Sequence, residues 1–156
     1  MLRISKLTDY ATVILAALCE EPDTVLSAAG LAERTRVGLP TVSKLLKELQ
    51  RAGLVRSVRG ARGGYQLARE PGRISAADII DAVEGPVALT ECSSDHGHCG
   101  IEATCQVGHS WQQVSRSIHR ALADVPLTTL MRHDAAVRVP DLRPGLAAEW
   151  RPLTRL

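Results

Sequence analysis

The stretch LPTVSKLLKELQRAG (residues 39–53), followed at once by LVRSVRGARGGYQLA (residues 54–68), decides how the chain folds. Val42, Leu45, Leu46 and Leu49 fall at i, i+3, i+4 and i+7, which gathers them on one face of a helix. Pro40 suits the first position of that helix, because its missing N–H would be unpaired there anyway. Gly53 is placed to end it in a left-handed conformation. Thr41, Ser43, Lys44, Lys47 and Arg51 then occupy the polar face. Two strand-like runs follow, Leu54–Val58 and Tyr65–Ala68. The tip between them, Arg59-Gly60-Ala61-Arg62-Gly63-Gly64, is rich in glycine and carries two arginines.

Upstream, Leu7, Ala11, Ile14 and Leu18 repeat at intervals of four, three and four, the stripe of an amphipathic helix that Ser5 or Thr8 can cap. Ser27 can cap a second, short helix running to about Thr35 with Leu31 inward, and Val37-Gly38 makes a turn. Helix, tight turn, helix and basic hairpin is the order of a winged helix-turn-helix, and double-stranded DNA is the partner it fits. The recognition helix buries its Leu/Val face and offers the other to the major groove. Thr41, Ser43 and Lys44 are the candidate base readers, and Lys47 and Arg51 the candidate phosphate contacts. Arg59 and Arg62 can enter the minor groove or neutralise phosphates, with Gly60, Gly63 and Gly64 letting the wing backbone approach. A winged helix can also serve as a protein-binding module, or be a plain helical core with a hairpin attached. Arginines in a glycine-rich tip favour DNA.

Charge agrees. Residues 1–69 hold eleven Lys/Arg against six Asp/Glu, a net +5, whereas residues 70–134 hold four against nine, a net −5. A basic first half joined to an acidic second half suggests a polyanion-binding module attached to something else. Hydrophobic residues make up 45% of the chain, but aromatics only 3% with no Phe, so Leu, Val, Ile and Ala must fill the core. No apolar run approaches the roughly 20 residues that span a bilayer. The Ala11–Cys19 run lacks the flanks and cleavage site of a signal peptide, so the expected location is cytoplasmic.

Beyond the hairpin, Ser75 and Asp78 form a capping box that opens a helix containing Ile79, Ile80 and Val83, and Gly85-Pro86 stops it. Residues 86–109 show no period and hold Cys92, Cys99 and Cys105. Trp111, Val114, Ile118 and Leu122 (or Val125) form a new stripe over about Ser110–Asp124, and Leu127–His133 suits one more short helix. The tail, with Pro140, Pro144 and Pro152, has no periodicity and reads as flexible. The organisation expected is a reading head at 1–85, a cysteine segment at 86–109, a helical region at 110–133 and a tail at 134–156.

Cys19 closes the first helix and reads as a small buried side chain. The other three cysteines are separated by six and five intervening residues, without the close pairs typical of structural zinc sites. Three thiolates can hold an iron–sulfur cluster with one further ligand, from His96, His98, His109 or a carboxylate elsewhere. Spacing alone leaves a cluster, zinc and a thiol switch open. Nothing suggests a cysteine nucleophile with a base and an orienting group, or a small-molecule substrate pocket, so an enzyme is not expected.

Leu7-Thr8-Asp9-Tyr10-Ala11, the Val58–Tyr65 wing and the Cys92/Cys99/Cys105 triplet together resemble the IscR/NsrR family of iron–sulfur transcription regulators, over residues 1 to about 133. The opening Met1–Tyr10 most resembles the branch that controls the SUF cluster-assembly operon. The resemblance implies a mainly α fold with a small β-hairpin wing and a long C-terminal dimerisation helix from Ser110 that crosses its twin. It implies a homodimeric regulator, in the repressor mould, of cluster-assembly genes on a palindromic operator. A cluster, 2Fe-2S or 4Fe-4S, would be held by Cys92, Cys99 and Cys105. The IscR branch puts a histidine three residues after the last cysteine, where this chain has Gly108, and His109 lies one further on. In NsrR-like members an aspartate of the first helix reaches the cluster from the partner subunit, and Asp9 matches it. The fourth ligand lies between Asp9 and His109, with Asp9 favoured. A nitric-oxide- or redox-sensing member of the family, or a zinc- or thiol-dependent adaptor without a cluster, is the alternative.

Overall fold

The computed structural model describes residues 4–60, 63–90, 105 and 107–131. Helix α1 spans Lys6–Glu20, and of its two candidate caps Ser5 serves, its Oγ accepting the Thr8 N–H at 3.3 Å. Ala11, Ile14, Leu15 and Leu18 of this helix are buried, with Leu7 packed at the margin. Helix α2 spans Ala28–Thr35, capped by Ser27, whose Oγ accepts the Gly30 N–H at 3.0 Å. It ends on Arg36 in the left-handed region, and Val37 turns back into the core.

Helix α3, Leu39–Arg51, starts one residue before Pro40 and is capped by Gly38 without a side chain. Val42, Leu45, Leu46 and Leu49 are wholly buried, as their spacing predicts. Its end is a Schellman motif. Gly53, at φ 69, lets the Leu54 N–H reach the Leu49 carbonyl at 2.9 Å and its own N–H reach the Gln50 carbonyl at 3.0 Å. Because Leu54 is spent on this cap, strand β1 begins one residue later than the apolar run predicts, at Val55–Val58, and pairs antiparallel with β2, Gly64–Leu67. Val55 faces Leu67 and Val58 faces Gly64 in register.

A 3-10 turn at Pro71–Arg73 leads to helix α4, Ala76–Glu84, opened by the expected capping box. Ser75 Oγ accepts the Asp78 N–H at 3.1 Å, and Asp78 Oδ2 accepts the Ser75 N–H at 2.8 Å. Helix α5, Gly108–Ala123, starts two residues before the predicted Ser110, because no side chain caps it and so no signal marks the start. It meets α4 through His119 Nε2 and Asp81 Oδ2, 2.8 Å apart. The chain then returns to the head. Ala76 N–H bonds the Val125 carbonyl at 2.8 Å, Leu127 N–H bonds the Ile74 carbonyl at 2.7 Å, and Leu127 of the short helix α6, Leu127–Leu130, is fully buried.

The core is therefore one cluster built from α1, α2, α3, α4, β1 and Leu127. Burying a Leu or Ile side chain is worth about 1.5–3 kcal/mol, so α3 alone contributes a large share of what holds the head together. Residues 132–133 of the last predicted helix, and the tail from 134, lie outside the described residues. No helix among the described residues is long and apolar enough to cross a membrane.

Candidate nucleic-acid interface and cysteine segment

The apolar face of α3 fixes which side chains point outward. Lys44, Lys47 and Arg51 are exposed, and Thr41 and Ser43 half-buried, so the five polar residues predicted for this helix lie together on its outer surface. Lys44 Nζ stands 3.9 Å from Glu48 Oε1, a loose surface pair that leaves the ammonium available. Gln50 Nε2 reaches Ser57 Oγ at 3.3 Å and ties the end of this helix to the hairpin.

Arg59 is exposed at the start of the wing tip, while Arg62 lies outside the described residues. The wing also carries a basic residue that sequence reasoning passed over. Arg56 is exposed on β1 and donates to Gln66 Oε1 of β2 at 3.3 Å. It lies inside the short strand-like run, where nothing local marks it from its neighbours. Arg69, by contrast, is exposed but committed within the fold. It donates to the Ala52 carbonyl at 3.2 Å and to Asp78 Oδ1 at 3.4 Å, which stitches the end of α3 to the start of α4.

The wing glycines have a nearer reason than DNA approach. A Cβ on Gly64 would lie 2.4 Å from the Leu26 carbonyl oxygen. Leu26 bridges to Tyr65, its N–H on the Tyr65 carbonyl at 3.1 Å and its carbonyl accepting the Tyr65 N–H at 2.8 Å. The hairpin is thus clamped to the residue before the α2 cap.

Of the cysteine triplet, Cys105 is half-buried and a free thiol, whereas Cys92 and Cys99 lie outside the described residues, as do His96 and His98. His109 is exposed in the first turn of α5, not on a loop. Asp9 is exposed on α1 and forms no ion pair with a described residue. It lines a cavity of about 690 Å³ together with Ile79, Ile80, Leu122, Val125 and Leu130. No three metal-ligating side chains gather among the described residues. Cys19 is half-buried, and burial, with the charge of Glu20 beside it, pushes its thiol pKa up, which suits an inert side chain.

The start of the cysteine segment is anchored on α5. Leu89 N–H donates to Ser115 Oγ at 3.3 Å, and Ser115 is buried beneath it. Further along the same helix Ile118 and Leu122 are half-buried, but Trp111 and Val114 are exposed, 44% and 42%. Half of the stripe predicted for this helix is therefore exposed.

The profile of the Rrf2 family, described as iron-dependent transcriptional regulators, matches residues 4–133. The regulator IscR of Xenorhabdus nematophila is 31% identical over 141 residues, covering 90% of this chain and 85% of that protein. Among solved structures, CymR, the global cysteine regulator of B. subtilis, superposes with a TM-score of 0.63 at 30% identity, over 84% of this chain and 97% of CymR. IscR of T. potens gives 0.59 at 30% identity, over 83% and 86%. The chain belongs to the Rrf2 family: it is a transcriptional regulator of the IscR type rather than an enzyme, and its winged helix-turn-helix is a DNA-binding module.

Proposed function

We propose that this protein is a homodimeric, iron–sulfur-cluster-dependent repressor of cluster-assembly genes that reads a palindromic operator. Thr41, Ser43 and Lys44 would face base edges, with Lys47 and Arg51 on phosphates and Arg59 and Arg62 in the minor groove or on phosphates. The reading head is 1–85, the cysteine segment 86–109, and the dimerisation region 110–133. The observation that carries the cluster is the donor set itself. Three cysteines come with a carboxylate, Asp9, that is exposed, unpaired among the described residues, and set on a cavity beside α5. Soft thiolates with one harder ligand suit an iron–sulfur cluster, and the triplet lacks the close cysteine pairs typical of structural zinc. Cys92, Cys99 and Cys105 would hold it, with Asp9 of the second subunit as fourth ligand and His109 as the other candidate.

Once bound, the cluster supplies a centre whose oxidation, nitrosylation or loss changes what the thiolates hold. The chain's own residues carry that change onward. The segment enters at Leu89, docked on Ser115 of α5, and Cys105 lies three residues before the same helix begins. Whatever shifts between residues 92 and 105 acts on the helix that would set the separation of two recognition helices. Half-sites must lie about one helical turn apart, so a small rotation alters affinity.

The test is Cys99→Ala in oxygen-free protein. Iron and acid-labile sulfide, visible absorbance, and binding to a duplex selected by the protein from a random library are measured together. The variant is expected to lose colour, iron and sulfide and to change its DNA affinity. Unchanged colour and affinity overturn the reading. Likeness to the cysteine regulator CymR favours one second reading, a cluster-free thiol switch, which colourless wild-type protein that responds to oxidant would select.

A further inference from the structure

Arg36 is the one non-glycine residue with positive φ among the described residues, at φ 56 and ψ 23. A side chain at such a position crowds its own carbonyl, and glycine or asparagine adopts it at lower cost. The turn does not need an arginine. Thr35 Oγ1 donates to the Leu31 carbonyl at 2.7 Å, the Val37 N–H reaches Thr35 Oγ1 at 3.4 Å, and Val37 is buried in the core. The Arg36 side chain is exposed and forms no hydrogen bond or ion pair with a described residue.

Two other arginines of the head are committed within the fold. Arg34 pairs with Glu21, and Arg69 with the Ala52 carbonyl and Asp78. Arg36 alone supplies what glycine lacks at this position, a cation on a long stem. It supplies it in the turn between α2 and α3, two residues ahead of Gly38, where the recognition helix begins. The wing follows the other end of that helix. A backbone outlier retained on an unpaired cation is accounted for by an anion that arrives from outside.

We propose that Arg36 contacts a DNA backbone phosphate, holding the start of the recognition helix as the wing holds its end. The contact rests on the DNA-binding role of the head and not on the cluster. A phosphate contact reads no bases, so it lends affinity to every sequence and leaves specificity unchanged.

The test uses the full chain and a mixed-sequence duplex, with affinity followed by fluorescence anisotropy between about 50 and 200 mM salt. Arg36→Gly is expected to reduce the slope of log affinity against log salt by about 0.9, which is roughly an eightfold loss at about 0.1 M salt. Its melting midpoint is expected to equal or exceed the wild-type value, since glycine relieves the backbone. Arg36→Lys is expected to restore the slope. An Arg36→Gly slope equal to wild type, a lysine variant that behaves like glycine, or a lower melting midpoint for Arg36→Gly overturns the proposal. Wild-type protein whose binding shows no salt dependence would overturn the DNA-binding role and the Arg36 contact together.

Discussion

Glu84 Oε1 accepts the backbone N–H of Ser5 at 3.1 Å, so the last residue of α4 is fastened to the residue that caps α1. The same oxygen accepts the hydroxyl of Thr8, a side chain only 3% exposed. A carboxylate at the C-terminal end of its own helix is poorly placed, but here it sits at the N-terminal, positive end of another. The Thr8 hydrogen bond, against a smaller opposing effect of burial and joined by the bonds from Ser5, holds the Glu84 pKa below the usual glutamate range.

Glu84→Ala leaves the buried Thr8 hydroxyl and the Ser5 N–H without their partner. The expected cost is about 1–2 kcal/mol, the scale of a hydrogen bond to a charged group offset by partial exposure. Because the folded-state pKa is lowered, this stabilisation is present above the ordinary glutamate value of about 4.3 and is lost as pH falls through the lower, folded-state value. Urea unfolding of wild type and variant should therefore differ at neutral pH and converge in acid. A gap that persisted or widened as pH fell would show that the carboxylate is not the source.

Gly64→Ala should act on the wing through the fold and not through DNA. The added Cβ would meet the Leu26 carbonyl oxygen at 2.4 Å and the Ser27 nitrogen at 3.0 Å, both backbone atoms with little room to move. Relief requires breaking the Leu26–Tyr65 bridge. The expected destabilisation is about 1–3 kcal/mol, as for overpacking in a core. Hydrogen exchange should show the Leu26 and Tyr65 amides losing protection while those of α3 keep theirs. Unchanged protection at both amides would mean the clamp accommodates the methyl.

The recognition helix was legible because four Leu/Val residues at helical spacing leave it one way to bury them, and α3 buries all four completely. The cap at Ser27 and the capping box at Ser75 were legible for the same local reason, each satisfying an amide within three residues. The Leu26–Tyr65 bridge was not, since two residues 39 positions apart leave no pattern in either segment. Nor was the Glu84 bond to Ser5, made across 79 positions. Helix α5 began early because an uncapped start announces nothing. Arg36 reads in sequence as one more surface cation; only its backbone angle sets it apart. The candidate cluster ligands were legible as types and spacing, and Cys92 and Cys99 lie outside the described residues.

The uncovered half of the α5 stripe yields the prediction for assembly. Trp111 and Val114 are exposed while Ile118 and Leu122 of the same predicted stripe are half-buried, so the stripe becomes more covered along one helix. Replacing Val114 by Arg puts a charge on the bare half without touching the core of the subunit. In the proposed homodimer this face is the interface, so the variant should sediment as a monomer where wild type sediments as a dimer, with little loss of far-ultraviolet helical signal. Two half-site contacts made by one dimer would become two separate events, so affinity for a palindromic duplex should fall far more than affinity for a single half-site. If Val114→Arg sedimented as wild type does, this face of α5 would not be a subunit interface.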